Sequence, residues 1–230
     1  MLSGSAAGPR SRLGRVSTRP GLLARGPWRP EQVEAVWRDD AFEVPVEVDR
    51  MADGAVEGLR ERGSPAHDGM ATRLVSWDAA GDRLRLELQP VRWALRLLDD
   101  ASDSLTALCV VRTGDGRWLA GRRASWVSSW ANRWALGAGG SVDLGESPAE
   151  TLTRELHEEW RLEPEALSVE ALIALPNGLN MLVGLATVPD GCDPVPDSEH
   201  DDWTWWPADI SDWPAEAHDR LKLMAALLGS

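Results

Sequence analysis

Three glutamates lie close together in a segment predicted to be a helix, between Pro148 and Trp160. Glu155 and Glu159 are four residues apart and Glu158 is three residues from Glu155, so their carboxylates crowd one side of the helix. Like charges at this spacing destabilise a helix unless something neutralises them. Mg²⁺ does so well, because it takes oxygen ligands and shares its coordination shell with phosphate oxygens. A metal site and a solvated acidic face are therefore the two interpretations.

The surroundings of the acids weaken the second interpretation. Pro148 suits the first turn of a helix, and Glu146 and Glu150 favour its positively charged amino terminus. A glycine-rich turn precedes the helix, and an apolar stripe predicted to face the core runs beside the acids. The stripe consists of Ala149, Leu152, Leu156 and Trp160. Helix physics alone still does not decide between a metal site and a solvated face.

The spacing of the whole segment resembles the Nudix box, G-x5-E-x7-R-E-U-x-E-E-x-G-U, in which U is apolar. Eight of the nine specified positions match: Gly140, Glu146, Arg154, Glu155, Leu156, Glu158, Glu159 and Leu162. Arg161 stands where the family has the glycine that ends the helix, which leaves the geometry of the following loop open. On this motif, residues 99–230 are identified as a Nudix hydrolase domain, with the α/β/α sandwich and mixed sheet of that family.

The resemblance implies hydrolysis of a diphosphate linkage in a nucleoside diphosphate or triphosphate derivative. Glu158 and Glu159 would bind Mg²⁺, or Mn²⁺ in its place, and Glu155 would be a further ligand or the base that activates water. Glu146 would support the metal cluster, and Arg154 would orient the carboxylates. Bound Mg²⁺ would screen the diphosphate charge and lower the pKa of a coordinated water molecule.

Two further positions outside the acidic helix follow from the same resemblance. The backbone carbonyl of Gly139, immediately before the box, would be an additional metal ligand. In several branches of the family the base lies on a loop after the box, and the candidate here is Glu199, with Asp197, Asp201 and Asp202 nearby. That run is otherwise a polar turn before a strand, so both interpretations stay open.

Arginines and tryptophans upstream of the box are the candidates for substrate binding. Arg122, Arg123 and Arg133 could bind phosphate or could be surface residues. Trp126 and Trp130 could stack on a flat ligand or pack in the core. The base, sugar or terminal group of the substrate is not fixed by these residues.

Two other functions are alternatives. A Nudix-fold ligand sensor without turnover is the first, although a pure binder has little reason to keep three carboxylates on one helix face. An enzyme similar to isopentenyl diphosphate isomerase is the second and needs a histidine-rich metal site and a catalytic cysteine. His67 is the only histidine before the box, and Cys109 falls in a predicted buried strand. The remaining histidines are interpreted as surface residues: His157, His200 and His218.

Alternating and helical patterns predict the elements that position these residues. Residues 31–98 are predicted to form a small α+β appendage, with helices at 31–38 and from 49 to before 63 and a strand pair at 71–77 and 84–88. In the Nudix half, strands are predicted at 105–111, 117–121, 169–175, 181–188 and 202–206, and helices at 148–160 and 218–228. The predicted fold class is α/β.

Composition excludes several classes of protein. The chain has 230 residues, 43% of them hydrophobic, which is enough to build a core. Its net charge of −13 argues against nucleic-acid and anionic-membrane partners, and no apolar run reaches the roughly 20 residues of a membrane span. Residues 1–30 contain six arginines and no acidic residue, and they are predicted to be a disordered basic leader. We expect a cytoplasmic protein with a small-molecule substrate, and a homodimer through residues 31–98 is a further hypothesis.

Overall fold

The computed structural model describes residues 14–15, 20–64, 68–99 and 102–229. Their three α-helices are α1 (Val46–Glu61), α2 (Pro148–Trp160) and α3 (Asp219–Leu228). The strands are β1 (Gly14–Arg15), β2 (Gly21–Trp28), β3 (Val33–Trp37), β4 (Met70–Ala80), β5 (Arg83–Arg92), β6 (Leu105–Thr113), β7 (Trp118–Arg123), β8 (Trp134–Leu136), β9 (Ala138–Ser141), β10 (Ala166–Ala174), β11 (Asn180–Val188) and β12 (His200–Trp206). None of the helices in these ranges is long and apolar enough to cross a membrane.

The appendage is built around the predicted hairpin of β4 and β5. These strands pair antiparallel across a turn at Gly81, in a four-stranded sheet of order β1-β4-β5-β3. The helix predicted at 31–38 is wrong. A single 3₁₀ turn, Pro30–Gln32, is followed by strand β3, which runs parallel to β5. Val33, Val36 and Trp37 are residues that favour strands, and pairing with β5 satisfies the backbone groups that its edge would otherwise leave open.

Part of the predicted disordered leader is ordered. Residues 21–28 form β2, which pairs antiparallel with β10 at the end of the larger sheet, and Ala24 and Trp28 are buried there. The prediction is therefore wrong for this segment, because pairing with an open sheet edge orders a strand whose own sequence lacks a clear hydrophobic period. Residues 1–13 and 16–19 of the predicted leader lie outside the described residues, as does His67.

The Nudix half contains a mixed sheet of order β12-β7-β6-β11-β10-β2, in which β6 and β11 run parallel. Each of the five strands predicted here is present. The turn predicted around the glycines contains two short strands instead: β8 pairs with β7, and β9 pairs with β6. Leu152, Leu156 and Trp160 of α2 are fully buried against this sheet, as the apolar stripe predicts.

Residues at the border of the two sheets hold them together. The backbone N–H of Leu74 in β4 donates to the carbonyl of Asp103, at 3.0 Å. The Arg73 side chain donates through Nε to the Ser102 carbonyl at 2.9 Å and through Nη2 to Asp103 Oδ2 at 2.8 Å. The appendage therefore contacts the Nudix half where β6 begins. The boundary near residue 98 stays a prediction.

Both ends of α2 carry recognisable caps. Ser147 accepts a hydrogen bond from the Ala149 N–H at 3.3 Å, and Glu150 accepts one from the Ser147 N–H at 2.8 Å, which forms a capping box. The helix ends at Arg161, which adopts the left-handed conformation with φ 55° and ψ 31°. The loop therefore keeps a backbone geometry suited to glycine, with arginine in that position.

Replacing Arg161 with glycine is expected to raise the free energy of unfolding by about 1 kcal/mol, because it removes the steric cost of a left-handed Cβ, partly offset by chain entropy. Urea denaturation measures the change. Arg133→Gly is the matched control, since Arg133 is also exposed but lies outside the left-handed region. Equal effects of the two substitutions would show that backbone strain at Arg161 is not the cause.

Candidate active site

Arg154 of α2 holds three of the glutamates. Its Nε donates to Glu146 Oε1 at 2.9 Å, and its Nη1 donates to Glu155 Oε1 at 2.7 Å and to Glu158 Oε2 at 3.1 Å. Its Nη2 also donates to the backbone carbonyl of Ser141, at 3.1 Å. A guanidinium presents its donors in a rigid fork, so these contacts fix the carboxylates relative to β9.

Glu159 is the most deeply buried of these acids, with 4% of its surface exposed. Its Oε1 accepts a hydrogen bond from the Gly139 N–H at 3.2 Å, whereas its buried Oε2 has no hydrogen-bond partner among the described residues. Arg123 Nη1 and His200 Nε2 are 3.9 and 3.7 Å from that oxygen. Burial raises the pKa of Glu159 well above its ordinary range, against the opposing charge of Arg123.

The other acids of α2 and its leading loop differ in environment. Burial raises the pKa of Glu155 to about 7, although the charge of Arg154 opposes the shift. Burial would raise the pKa of Glu146 too, but hydrogen bonds from Arg154 and Thr151 outweigh it and lower that pKa. Glu158 is exposed and in contact with Arg154. Glu146 is therefore held in its ionised form, and Glu158 is an exposed carboxylate. Glu155 and Glu159 resist ionisation.

Glu199 comes from the opposite side, on the loop before β12. Arg123 Nη2 binds Glu199 Oε2 at 2.8 Å, so Arg123 bridges this loop and Glu159. The charge of Glu199 contributes to the raised pKa values of both Glu155 and Glu159. The fold therefore brings the loop acid to the acids of α2, as the loop-base hypothesis requires. Its role in catalysis stays a prediction.

A cavity of about 440 Å³ adjoins the acids. Glu159, Arg123 and Trp130 line it, together with the glycines of β9. Arg122 and Arg133 are exposed and do not belong to its described lining, and Trp126 does not either. Arg122 follows Gly121 and precedes Arg123 in β7, and successive side chains of a strand point to opposite faces.

The family model of the NUDIX domain matches residues 103–227, more than half of the chain. The protein belongs to the Nudix family. The match begins close to β6 and ends within α3, so it spans the larger sheet except for β2.

Several solved structures contain chains that are similar to this one. A MutT protein from Methanosarcina mazei is 20% identical, with a TM-score of 0.41, and the match covers 55% of this chain and 95% of that one. The NUDIX domain of Shewanella oneidensis NrtR, complexed with ADP ribose, is 22% identical at a TM-score of 0.44, covering 55% and 88%. A C. elegans Ap4A hydrolase is 22% identical at 0.42, covering 54% and 92%. The search of curated proteins finds no match.

Within the Nudix box, close packing joins β9 to α2. A Cβ added at Gly140 would lie 2.1 Å from Glu155 Oε1, and the three atoms nearest to it all belong to the Glu155 carboxyl group. The carboxylate of Glu155 therefore occupies the space that any other residue at position 140 would need. This contact explains in physical terms why the box begins with glycine here.

His200 is buried, so its interpretation from the sequence as a surface residue is wrong. It is 7% exposed, not a surface residue, and its ring packs against Trp160 with centroids 4.3 Å apart. Its Nδ1 lies 3.1 Å from Asp197 Oδ1, and its Nε2 faces Glu159. The sequence carries no signal for this, because the contact depends on β12 and α2 meeting across the sheet. His157 and His218 are exposed, as predicted.

Arg96 is a second residue that the sequence did not single out. It lies in the 3₁₀ helix Trp93–Leu97 of the appendage, yet it lines the same cavity as Glu159. Its Nη1 donates to Ser141 Oγ in β9. The appendage thus reaches the site, which no local pattern in residues 31–98 indicates.

Proposed function

We propose that this Nudix protein hydrolyses a diphosphate linkage in a nucleoside diphosphate or triphosphate derivative, with Mg²⁺ or Mn²⁺ as cofactor. The observation that carries the proposal is Glu159 Oε2, a buried carboxylate oxygen with no hydrogen-bond partner among the described residues, beside a 440 Å³ cavity. Burying such an oxygen without a partner is costly, and a bound cation removes the cost.

The donor chemistry around Glu159 fits a hard divalent cation. Glu155, Glu158 and Glu199 supply further carboxylate oxygens, and the Gly139 carbonyl belongs to the strand whose N–H already binds Glu159. Among the described side chains, no group of three or more is already arranged around one point as metal ligands. We infer that these residues would hold the metal after side-chain adjustment, notably of Glu158, which is exposed.

The bound metal would supply neutralisation of the diphosphate and a lowered pKa of coordinated water. The protein's own contribution is orientation and proton transfer. Glu155 has a pKa of about 7, close to the value at which a carboxylate best accepts a proton from water near neutral pH. Arg154 fixes this carboxylate through its 2.7 Å contact. Glu199 is the alternative base, although Arg123 Nη2 already binds its carboxylate at 2.8 Å.

Purified protein is expected to cleave at least one compound of a diphosphate panel in the presence of Mg²⁺, and to stop when a chelator is added. The panel contains nucleotide sugars, ADP-ribose, dinucleoside polyphosphates, coenzyme A and nucleoside triphosphates, and released phosphate products are measured. Restoration by excess Mg²⁺ is the control for chelator damage. Tight binding of one compound with no cleavage of any would overturn the hydrolase proposal and support the ligand sensor.

The fold does not support the isomerase alternative. Cys109 is fully buried in β6, and burial raises the pKa of its thiol to about 12. A thiol with so high a pKa is a poor nucleophile and a poor acid near neutral pH. Burial also raises the pKa of Cys192, the other cysteine. We therefore propose hydrolysis and not isomerisation.

A further inference from the structure

Arg96 is a cation set among the acids of the site. It lines the cavity with Arg123 and Glu159, and its side chain is only partly exposed. Burial lowers its pKa, and the charges of Glu155 and Glu199 oppose that shift. Its charge therefore acts on the same space as the acids that we propose for metal binding and water activation.

The hydrogen bonding of Arg96 is incomplete. A guanidinium has five N–H donors, and within the described ranges Arg96 donates one hydrogen bond, to Ser141 Oγ. Its guanidinium carbon also lies 5.6 Å from the ring centroid of Trp93. No carboxylate oxygen of a described residue lies within ion-pair distance of it, whereas Arg123 and Arg154 both bind glutamates directly. Arg96 is thus a lining cation whose donors are available to an anion.

Ser141 places Arg96 next to the Nudix box. Its hydroxyl accepts from Arg96, and its carbonyl accepts from Arg154 Nη2 at 3.1 Å. Ser141 therefore bridges Arg96 and Arg154, and Arg154 is the residue that orients Glu155. A group bound by Arg96 would lie at the cavity face of β9, close to the reacting centre.

We propose that Arg96 binds a phosphate group of the diphosphate substrate, so that the amino-terminal appendage completes the substrate site. This inference rests on the proposed function, because it assumes a phosphate-bearing ligand. Arginine suits the task, since its planar fork matches phosphate oxygens and its charge is retained at every physiological pH. The appendage is then a determinant of substrate affinity and not only a neighbour of the catalytic fold.

The competing explanation is structural: Arg96 would only tie the appendage to β9 through Ser141. Arg96→Gln removes the charge and shortens the side chain, so the contact with Ser141 Oγ is lost as well. The melting temperature reports the loss of that contact, and phosphate binding reports the loss of the charge. Arg96→Lys keeps the charge and loses the fork. Arg85→Ala is the matched control, because Arg85 is an exposed arginine of β5 in the same appendage, away from the cavity.

The test measures binding of inorganic pyrophosphate to the full-length protein by calorimetry, with and without Mg²⁺, alongside melting temperature. Arg96→Gln is expected to weaken binding by about 10-fold or more, Arg96→Lys by less, and Arg85→Ala not at all. Wild-type affinity in Arg96→Gln overturns the proposal, and so does a wild-type protein that binds no pyrophosphate under either condition.

Kinetics separates this proposal from the proposed function. Where the wild-type protein cleaves a panel compound, Arg96→Gln is expected to raise KM by about 10-fold or more and to change kcat much less. A changed kcat with unchanged KM contradicts a binding role. If the wild-type protein cleaves nothing but binds pyrophosphate through Arg96, the hydrolase proposal fails while the phosphate site stands.

Discussion

The Glu159→Gln protein is expected to lose about 10²- to 10³-fold in turnover while it stays folded. Glutamine has nearly the shape of glutamate, and its side-chain oxygen can still accept from the Gly139 N–H. It lacks the negative charge that we assign to metal binding at the unpartnered Oε2. The loss therefore falls on chemistry and not on packing. Initial rates on the cleaved panel compound, over a range of Mg²⁺ concentrations, measure it.

When metal is absent, the same substitution is expected to raise the free energy of unfolding. The pKa of Glu159 is raised above its ordinary value of 4.5, so the native state favours the neutral carboxyl. The resulting stability is present below pH 4.5 and is lost as the pH rises through the raised pKa. Glutamine cannot ionise, so the Glu159→Gln protein keeps this stability as the pH rises. At pH 8, in chelator, Glu159→Gln should be more stable than wild type by about 1–3 kcal/mol.

Urea denaturation at pH 5 and at pH 8, in chelator, measures this difference. The pKa of Glu155 is raised to about 7, so this residue also lowers stability as the pH rises from about 4.5 to 7. The free energy of unfolding of Glu159→Gln should therefore still fall with rising pH. Glu165→Gln is the matched control, because Glu165 is an exposed glutamate outside the site. Wild-type turnover in Glu159→Gln would refute its role as a ligand, and parallel stability curves would refute the raised pKa of Glu159 in the native state.

The acidic helix and its immediate contacts follow from the sequence because their information is local. Pro148 and the apolar stripe define α2 with the bounds that the structure shows, 148–160, and the spacing of the glutamates places them together on it. Alternation of Leu84, Leu86 and Leu88 likewise identifies β5. In each case one short segment contains both the pattern and the surface that the pattern buries.

The remaining parts of the site depend on contacts between distant segments. Strand β2 is ordered by the edge of β10, which lies about 140 residues later in the chain. Arg96 meets Ser141 across 45 residues, and His200 meets Glu159 only after β12 has paired with β7. No periodicity in one sequence encodes such partners. The cavity is therefore the part of the site that the sequence predicted least well.

Gly140→Ala is expected to reduce turnover by about 10²-fold with little loss of stability. The new methyl group would lie 2.1 Å from Glu155 Oε1, so the carboxylate must move and its 2.7 Å contact with Arg154 Nη1 must break. Only the end of a flexible side chain is displaced, which costs the fold little. Displacement of Glu155 costs the reaction much more, because catalysis depends on placement to within about an ångström.

Gly58→Ala is the matched control, because it adds the same methyl group where no atom lies within 4 Å, at a partly exposed position of α1. It should raise stability by about 0.5–1 kcal/mol and leave turnover unchanged. If Gly140→Ala unfolds the protein, the clash is not absorbed by Glu155, and β9 is more rigid than the contact suggests. If Gly140→Ala retains full turnover, the position that Glu155 occupies against β9 is not the one that catalysis needs, and the base is to be sought at Glu199.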